Sequence, residues 1–207
     1  MDAATAKRRS EESLKATGIS VNDSLPLIEE PSELTPRTAR DVAIRAWVLG
    51  HIVYLGYGNT GKQVLDQLES VGLASAISPR ERELCSASEL SEHQKAWAAW
   101  HVEAVHGCAW ALGMVDTAPL DDCPNTLASL FKVKTDPWHS IERASLRSYD
   151  EIYYRSDTMY RAHWASVESR FGGPQLPQPE PAVLMRRHSI DWVAGSPYDW
   201  DEVPLDT

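Results

Sequence analysis

Apolar residues recur along this chain at spacings of three and four far more often than they alternate, and that period predicts helices. A long helix is expected from about Thr38 to Tyr57, carrying Val42, Ile44, Trp47 and the apolar run Ala46–Leu55. A second spans about Glu92–Leu112. Its Trp97, Trp100, Ala104, Val105, Cys108, Ala111 and Leu112 cover well over half of the helical wheel, which predicts a central helix packed on several sides. A third runs from about Tyr149 to Phe171 with the stripe Tyr153, Tyr160, Trp164, Val167 and Phe171. The ends are marked by four capping boxes, in which a Ser or Thr and a Gln or Glu three places on satisfy orphan N–H groups reciprocally. They are Thr60/Gln63, Ser78/Glu81, Ser91/Gln94 and Ser148/Glu151. Gly18, Gly72, Gly113, Gly172 and Gly195 sit where a left-handed helix stop is wanted.

Shorter helices follow from the same signals: one ending near Thr17, two at about Gly61–Val71 and Pro79–Ser86, one starting near Pro124, and a last at about Ala182–Ala194. No alternating run demands a sheet and no repeat is found. The expected fold is all-α: one compact multi-helix domain over residues 1–207 built round the apolar helix at about 92–112. A helix and Pro-containing arm occupy 1–37, a Pro/Gly-rich connection 172–181, and an acidic tail 198–207.

Composition adds three constraints. Eight Trp and seven Tyr stand against two Phe, and such rings suit polar seams in a core as well as binding surfaces. The net charge of −10 repels phosphate backbones and anionic membranes and favours basic partners, so nucleic acid is not expected as a ligand. Cys85, Cys108 and Cys123 form no CxxC pair, which argues against a disulfide framework or zinc ribbon. With no signal-like apolar region and no run near ~20 apolar residues, a cytoplasmic protein without a membrane span is expected.

Several local patterns carry chemistry. Gly56-Tyr57-Gly58-Asn59-Thr60-Gly61-Lys62 satisfies both GxGxxG and GxxxxGK. Gln63, however, replaces the hydroxyl a magnesium ion needs, and the preceding run continues a helical pattern. A turn between helices with Thr60 as N-cap is the simpler account. Glu103-x-x-His106 has the spacing of a carboxylate-bridged metal pair, but no second such pair exists, and a solvated helix face is expected instead. His101 falls on the apolar side and reads as a hydrogen-bonded core histidine. Asp157 lies at the edge of an apolar stripe with Arg161 four places on. Either it forms an internal ion pair with Arg161, Arg147 or Arg187, or it lines a polar pocket with Arg161, His163 and nearby Trp rings. The tail reads as solvated unless Trp200 and Val203 pin it to the body.

Other runs carry a family likeness. Trp110-Ala111-Leu112-Gly113, Leu146-Arg147-Ser148 with Glu151-Ile152, Tyr160-Arg161-x-His163-Trp164-Ala165, and Arg187 with Trp192 lie in the body of the chain. Trp200-Asp201-x-Val203 with Asp206-Thr207 closes it, and Arg9-Ser10, Leu14, Gly18-Ile19 and Leu25-Pro26 open it. Together they resemble the bacterial domain-of-unknown-function family 4272. That resemblance implies a mostly helical cytoplasmic domain and no established activity. It also implies that Glu103, Arg147, Glu151, Asp157, Arg161, His163 and Arg187 belong together as candidate pocket residues. The family pattern has Glu-Arg and Asn-Trp where this chain has Arg186-Arg187 and Asp191-Trp192. A catalytic set that used that Glu is incomplete here.

No complete catalytic signature, cofactor motif or metal set is legible, so neither a cofactor nor a metal is expected and an enzyme is not favoured. The leading expectation is an acidic module that binds a basic protein partner, in the manner of an immunity protein neutralising a toxin or enzyme. The alternative is an enzyme or small-molecule binder using the polar pocket round Asp157, Arg161 and His163. Oligomeric state is not legible.

Overall fold

The computed structural model describes residues 1–132 and 135–206. Among these residues there are nine α-helices and no strand. They are α1 (Ala3–Ala16), α2 (Ala39–Gly56), α3 (Gly61–Ser70), α4 (Pro79–Ser86), α5 (Glu92–Ala111), α6 (Leu127–Leu130), α7 (Trp138–Glu142), α8 (Tyr149–Glu168) and α9 (Glu180–Ala194). Five of them pack in series: α2 on α5, α5 on α9, α9 on α8, and α8 on α1. The apolar helix α5 is therefore central, as its circumference predicts. Ala98, Ala104, Val105, Cys108, Ala109 and Ala111 are all buried along it. Small side chains let it approach its neighbours closely. A Cβ on Gly107 would lie 2.0 Å from Ser189 Oγ and 3.4 Å from the Arg186 carbonyl on α9.

All four capping boxes form as expected, each with both reciprocal bonds present. The five stop glycines all take left-handed backbone. The third long helix ends at Glu168 and tightens into a 3-10 turn over Ser169–Phe171, slightly short of the expected end. The short helix α7 carries no cap or periodic signal strong enough to be read from sequence.

The glycine motif at 56–62 is a helix–helix turn. Gly56 ends α2, Gly58 has φ 92°, and the Thr60 side chain caps α3. Gly61 packs tightly against backbone, since a Cβ there would stand 1.8 Å from the Cys85 carbonyl oxygen. No helix among the described residues is long and apolar enough to cross a membrane, and Cys85, Cys108 and Cys123 are all free thiols.

The tryptophans are seam residues. None of the eight is exposed. Arg147 and Arg155 stack over Trp110, Arg45 over Trp200, Arg37 over Trp192 and Arg80 over Trp97. Each of these rings offers an apolar body to the core and a π-face to a cation, and of those cations Arg45 has left water. Arg45 is itself buried and paired with Glu81 at 2.8 Å, tying α2 to α4.

The tail is not frayed. Trp200 stacks on His188 at 4.2 Å, and its carbonyl accepts from His188 Nε2 at 2.7 Å. Asp201 accepts from Ser78 Oγ at 2.7 Å and from the Arg80 amide at 2.9 Å. Val203 is buried. The expected solvated tail is thus corrected to its alternative, with Trp200 and Val203 pinned to the body, while Thr207 lies outside the described residues.

Candidate functional site

The arm that follows α1 is held by its backbone. Lys7 Nζ donates to the carbonyls of Asp23 and Leu25, Arg161 donates to that of Pro26, and the Tyr153 hydroxyl donates to that of Glu29. Leu27, Glu29 and Glu33 of the arm line the space between it and the tail. Arg37 secures the tail in the same way, donating to the carbonyls of Ser196 at 3.0 Å and Tyr198 at 2.7 Å. Between arm and tail, over the middle of α8 and the second half of α9, lies a cleft of about 340 Å³.

Its floor is polar. Ser156 on α8 donates to Asp191 Oδ1 at 2.6 Å, and Arg187, one turn before Asp191 on α9, donates through Nε to Asp191 Oδ2 at 3.1 Å. Burial raises the Asp191 carboxyl above its ordinary range, against the lowering pull of Arg187 and Ser156. Arg187 also donates to His163 Nδ1 at 2.8 Å and to the Asp206 carbonyl at 2.9 Å, and it lies 4.9 Å over the Tyr160 ring. A guanidinium only donates, so Nδ1 of His163 must be the unprotonated nitrogen and Nε2 carries the proton. Burial, reinforced by the Arg187 charge, holds His163 down at about 4. His163 therefore stands behind the floor as a neutral brace for Arg187. The walls carry Glu29 and Glu33 from the arm and Asp206 from the tail, with Leu27 and Tyr198 at the opening, 49% and 48% exposed.

The seven candidate residues do not converge. Arg187 lines the cleft and His163 supports it. Asp157 and Arg161 are fully buried beneath α1, joined by bonds of 2.9 and 2.8 Å, with Glu11 at 3.5 Å from the guanidinium. They are the internal ion pair that burial demands, and they are not among the residues lining the cleft. Arg147 and Glu151 stand at the start of α8. Arg147 bonds the carbonyls of Trp110 and Val115 and pairs with Asp116, while Glu151 completes the helix cap.

Glu103 lies in the seam between α5 and α9, where Arg186 holds it at 2.7 Å. The expected solvated face for Glu103 and His106 is corrected here, since both are buried, at 7% and 3% exposure. Arg186, which stands where the family pattern has Glu, is what neutralises that seam. His101 is the core histidine expected. It is fully buried with Nδ1 bonded to the Trp97 carbonyl at 2.9 Å, and burial drives it down to about 3.

Sequence reasoning missed Ser156, Tyr160, Asp191, Glu29 and Glu33. The Arg187/Asp191 spacing of four is the one signal that marks a charged pair on α9, the same spacing as Asp157/Arg161 on α8.

Fold and cleft together define an all-helical protein with a net acidic cleft between its arm and its tail. The chain belongs to the family described as Domain of unknown function (DUF4272), whose model matches residues 6–203. Comparison with curated proteins and with solved structures gave no match.

Proposed function

We propose that this protein is a binding module whose cleft receives a basic segment of a partner protein. The observation that carries the reading is the charge of the lining: Glu29, Glu33, Asp191 and Asp206 against Arg187 alone. Leu27 and Tyr198 flank those acids with apolar surface, the combination by which a lysine or arginine is held at its head and along its stem. The overall charge of −10 extends the same preference to long range and speeds encounter with a basic partner. Neutralisation of a basic toxin or enzyme is the biological form of this reading that we favour. The tryptophans take no part in it, because they are spent in the seams.

The test is capture from the source organism followed by calorimetry with the captured protein. A partner binding one to one is expected, with affinity that falls as salt rises. The combined changes Glu29→Gln, Glu33→Gln and Asp206→Asn should weaken binding about tenfold or more. Gln at position 33 keeps the acceptor that caps the Glu30 amide at 2.9 Å, so the arm is preserved. A partner that binds the triple variant equally well, or no stoichiometric partner at all, would count against the proposal.

The cleft volume also lies within the range of small-ligand sites. A cationic small molecule held by Asp191, Tyr160 and the wall acids is the second reading. It predicts a gain in thermal stability with a dialysable component of the extract rather than with a protein.

A further inference from the structure

Three donor groups that the cleft does not use stand together beside α5. Glu103 and His106 are one turn apart on that helix, and Cys123 lies on the segment that leads to α6. One donor atom from each falls within 4.8 Å of the others. His106 is the informative member. Its Nε2 shares a 2.8 Å hydrogen bond with Thr117 Oγ1, which fixes the ring. Its Nδ1 is buried without a hydrogen-bond partner, 3.7 Å from Glu103 Oε2 and so beyond bonding distance. A buried ring nitrogen left unpaired is destabilising unless something occupies it. The contacts of Glu103 with Arg186, at 2.8 and 2.7 Å, both fall on Oε2. Among the described residues no hydrogen bond reaches Oε1.

We propose that Glu103, His106 and Cys123 form a zinc site. A carboxylate oxygen, an imidazole nitrogen and a thiolate are a borderline-soft donor set of the kind zinc takes, with a fourth position for water. Binding forms the sulfur–zinc bond and releases the Cys123 thiol proton to solvent. Thiolate and carboxylate set two negative charges against three positive ones, the ion's two and that of Arg186, so the occupied site keeps one net positive charge. Arg186 keeps its bond to Oε2 and orients the carboxylate from outside, as Thr117 orients the imidazole. Donors on one tetrahedral zinc stand roughly 3.3–3.7 Å apart, so the present spread of up to 4.8 Å closes by a shift of about 1 Å. From the sequence, Glu103 and His106 have the spacing of a metal pair but lack a second such pair, and Cys123 carries no motif that would join it to them.

The test is titration of the full chain, purified without chelators, with cobalt(II). Cobalt bound to a thiolate absorbs strongly in the near ultraviolet. One cobalt per chain with that band, bleached by added zinc, is expected. Cys123→Ser should abolish the band, and since Cys123 is only partly buried the circular dichroism should not change. Cys85→Ser should keep the band, and His106→Gln should weaken cobalt binding at least tenfold. Stoichiometric cobalt without the band, as from binding at surface histidines, overturns the proposal, as does a band that survives Cys123→Ser.

Discussion

Desolvating a lone carboxylate or guanidinium costs several kcal/mol, and Asp157 and Arg161 offset that cost through a two-pronged contact at 2.9 and 2.8 Å. Both are fully buried, so removing one partner strands the other. Asp157→Ala is expected to cost about 3–5 kcal/mol in urea unfolding. Asp157→Leu combined with Arg161→Met should recover part of it, because neither charge is then stranded, although the Pro26 carbonyl and Glu11 lose the guanidinium. A single change that costs under ~1 kcal/mol would show that the pair does not hold α8 in place. The same residues explain why the site was only partly legible. Helix α8 packs against α1 on one side and α9 on another, and a helical wheel shows polar edges without saying which neighbour each edge meets. Asp157 and Arg161 took the α1 edge, while Ser156, Tyr160 and His163 took the α9 edge with Arg187. Of the two alternatives the sequence leaves open for Asp157, the internal ion pair with Arg161 is the one that forms, and His163 belongs to the other interface. Glu29, Glu33 and Asp206 were harder still, since the arm and tail that carry them have no period from which a face can be inferred.

For whole helices the local code was nearly sufficient. Thr60, Ser78, Ser91 and Ser148 each stop the backbone in an extended conformation and accept from the third residue of the helix, an outcome written within four consecutive residues. What local signals could not supply was the docking of α7, five residues long, which is placed by Trp138 Nε1 donating to the Val71 carbonyl at 2.8 Å across the chain. The caps themselves give a direct test. Ser148 opens α8, the helix that carries one side of the cleft floor, and its hydroxyl bonds Glu151 Oε2 at 2.5 Å. Ser148→Ala should lower stability by about 1 kcal/mol, a fall in melting temperature of roughly 2–4 °C for a chain of this size. Ser148→Gly should lose only a few tenths, because glycine still adopts the cap geometry. Equal losses for both changes in a thermal melt would mean that the Ser148 side chain acts through packing and not through the cap.

Across the whole molecule, the buried imidazoles set the response to acid. His101, His163 and His188 are held at about 3, about 4 and about 4, in each case chiefly by burial, and burial lowers His51 as well. In the unfolded chain these rings bind a proton near pH 6.5, so between there and about pH 4 the unfolded state holds more protons than the folded one. Stability must then rise with pH across that window and be lost as pH falls through it. Each histidine contributes up to about 1.4 kcal/mol per pH unit, and the three together roughly 4, which is large beside a total of ~5–15 kcal/mol. Asp191, raised by burial, works in the opposite sense, but it is one group against several. The urea midpoint should therefore fall steeply from pH 7 to pH 5. His188→Gln, which keeps a donor for the Trp200 carbonyl, should remove about a quarter to a third of the slope, because it deletes one of the four lowered histidines while preserving the bond that pins the tail. A midpoint that stays level between pH 7 and pH 5 would mean that these rings gain protons inside the fold, and that the seams round α5 and α9 admit water.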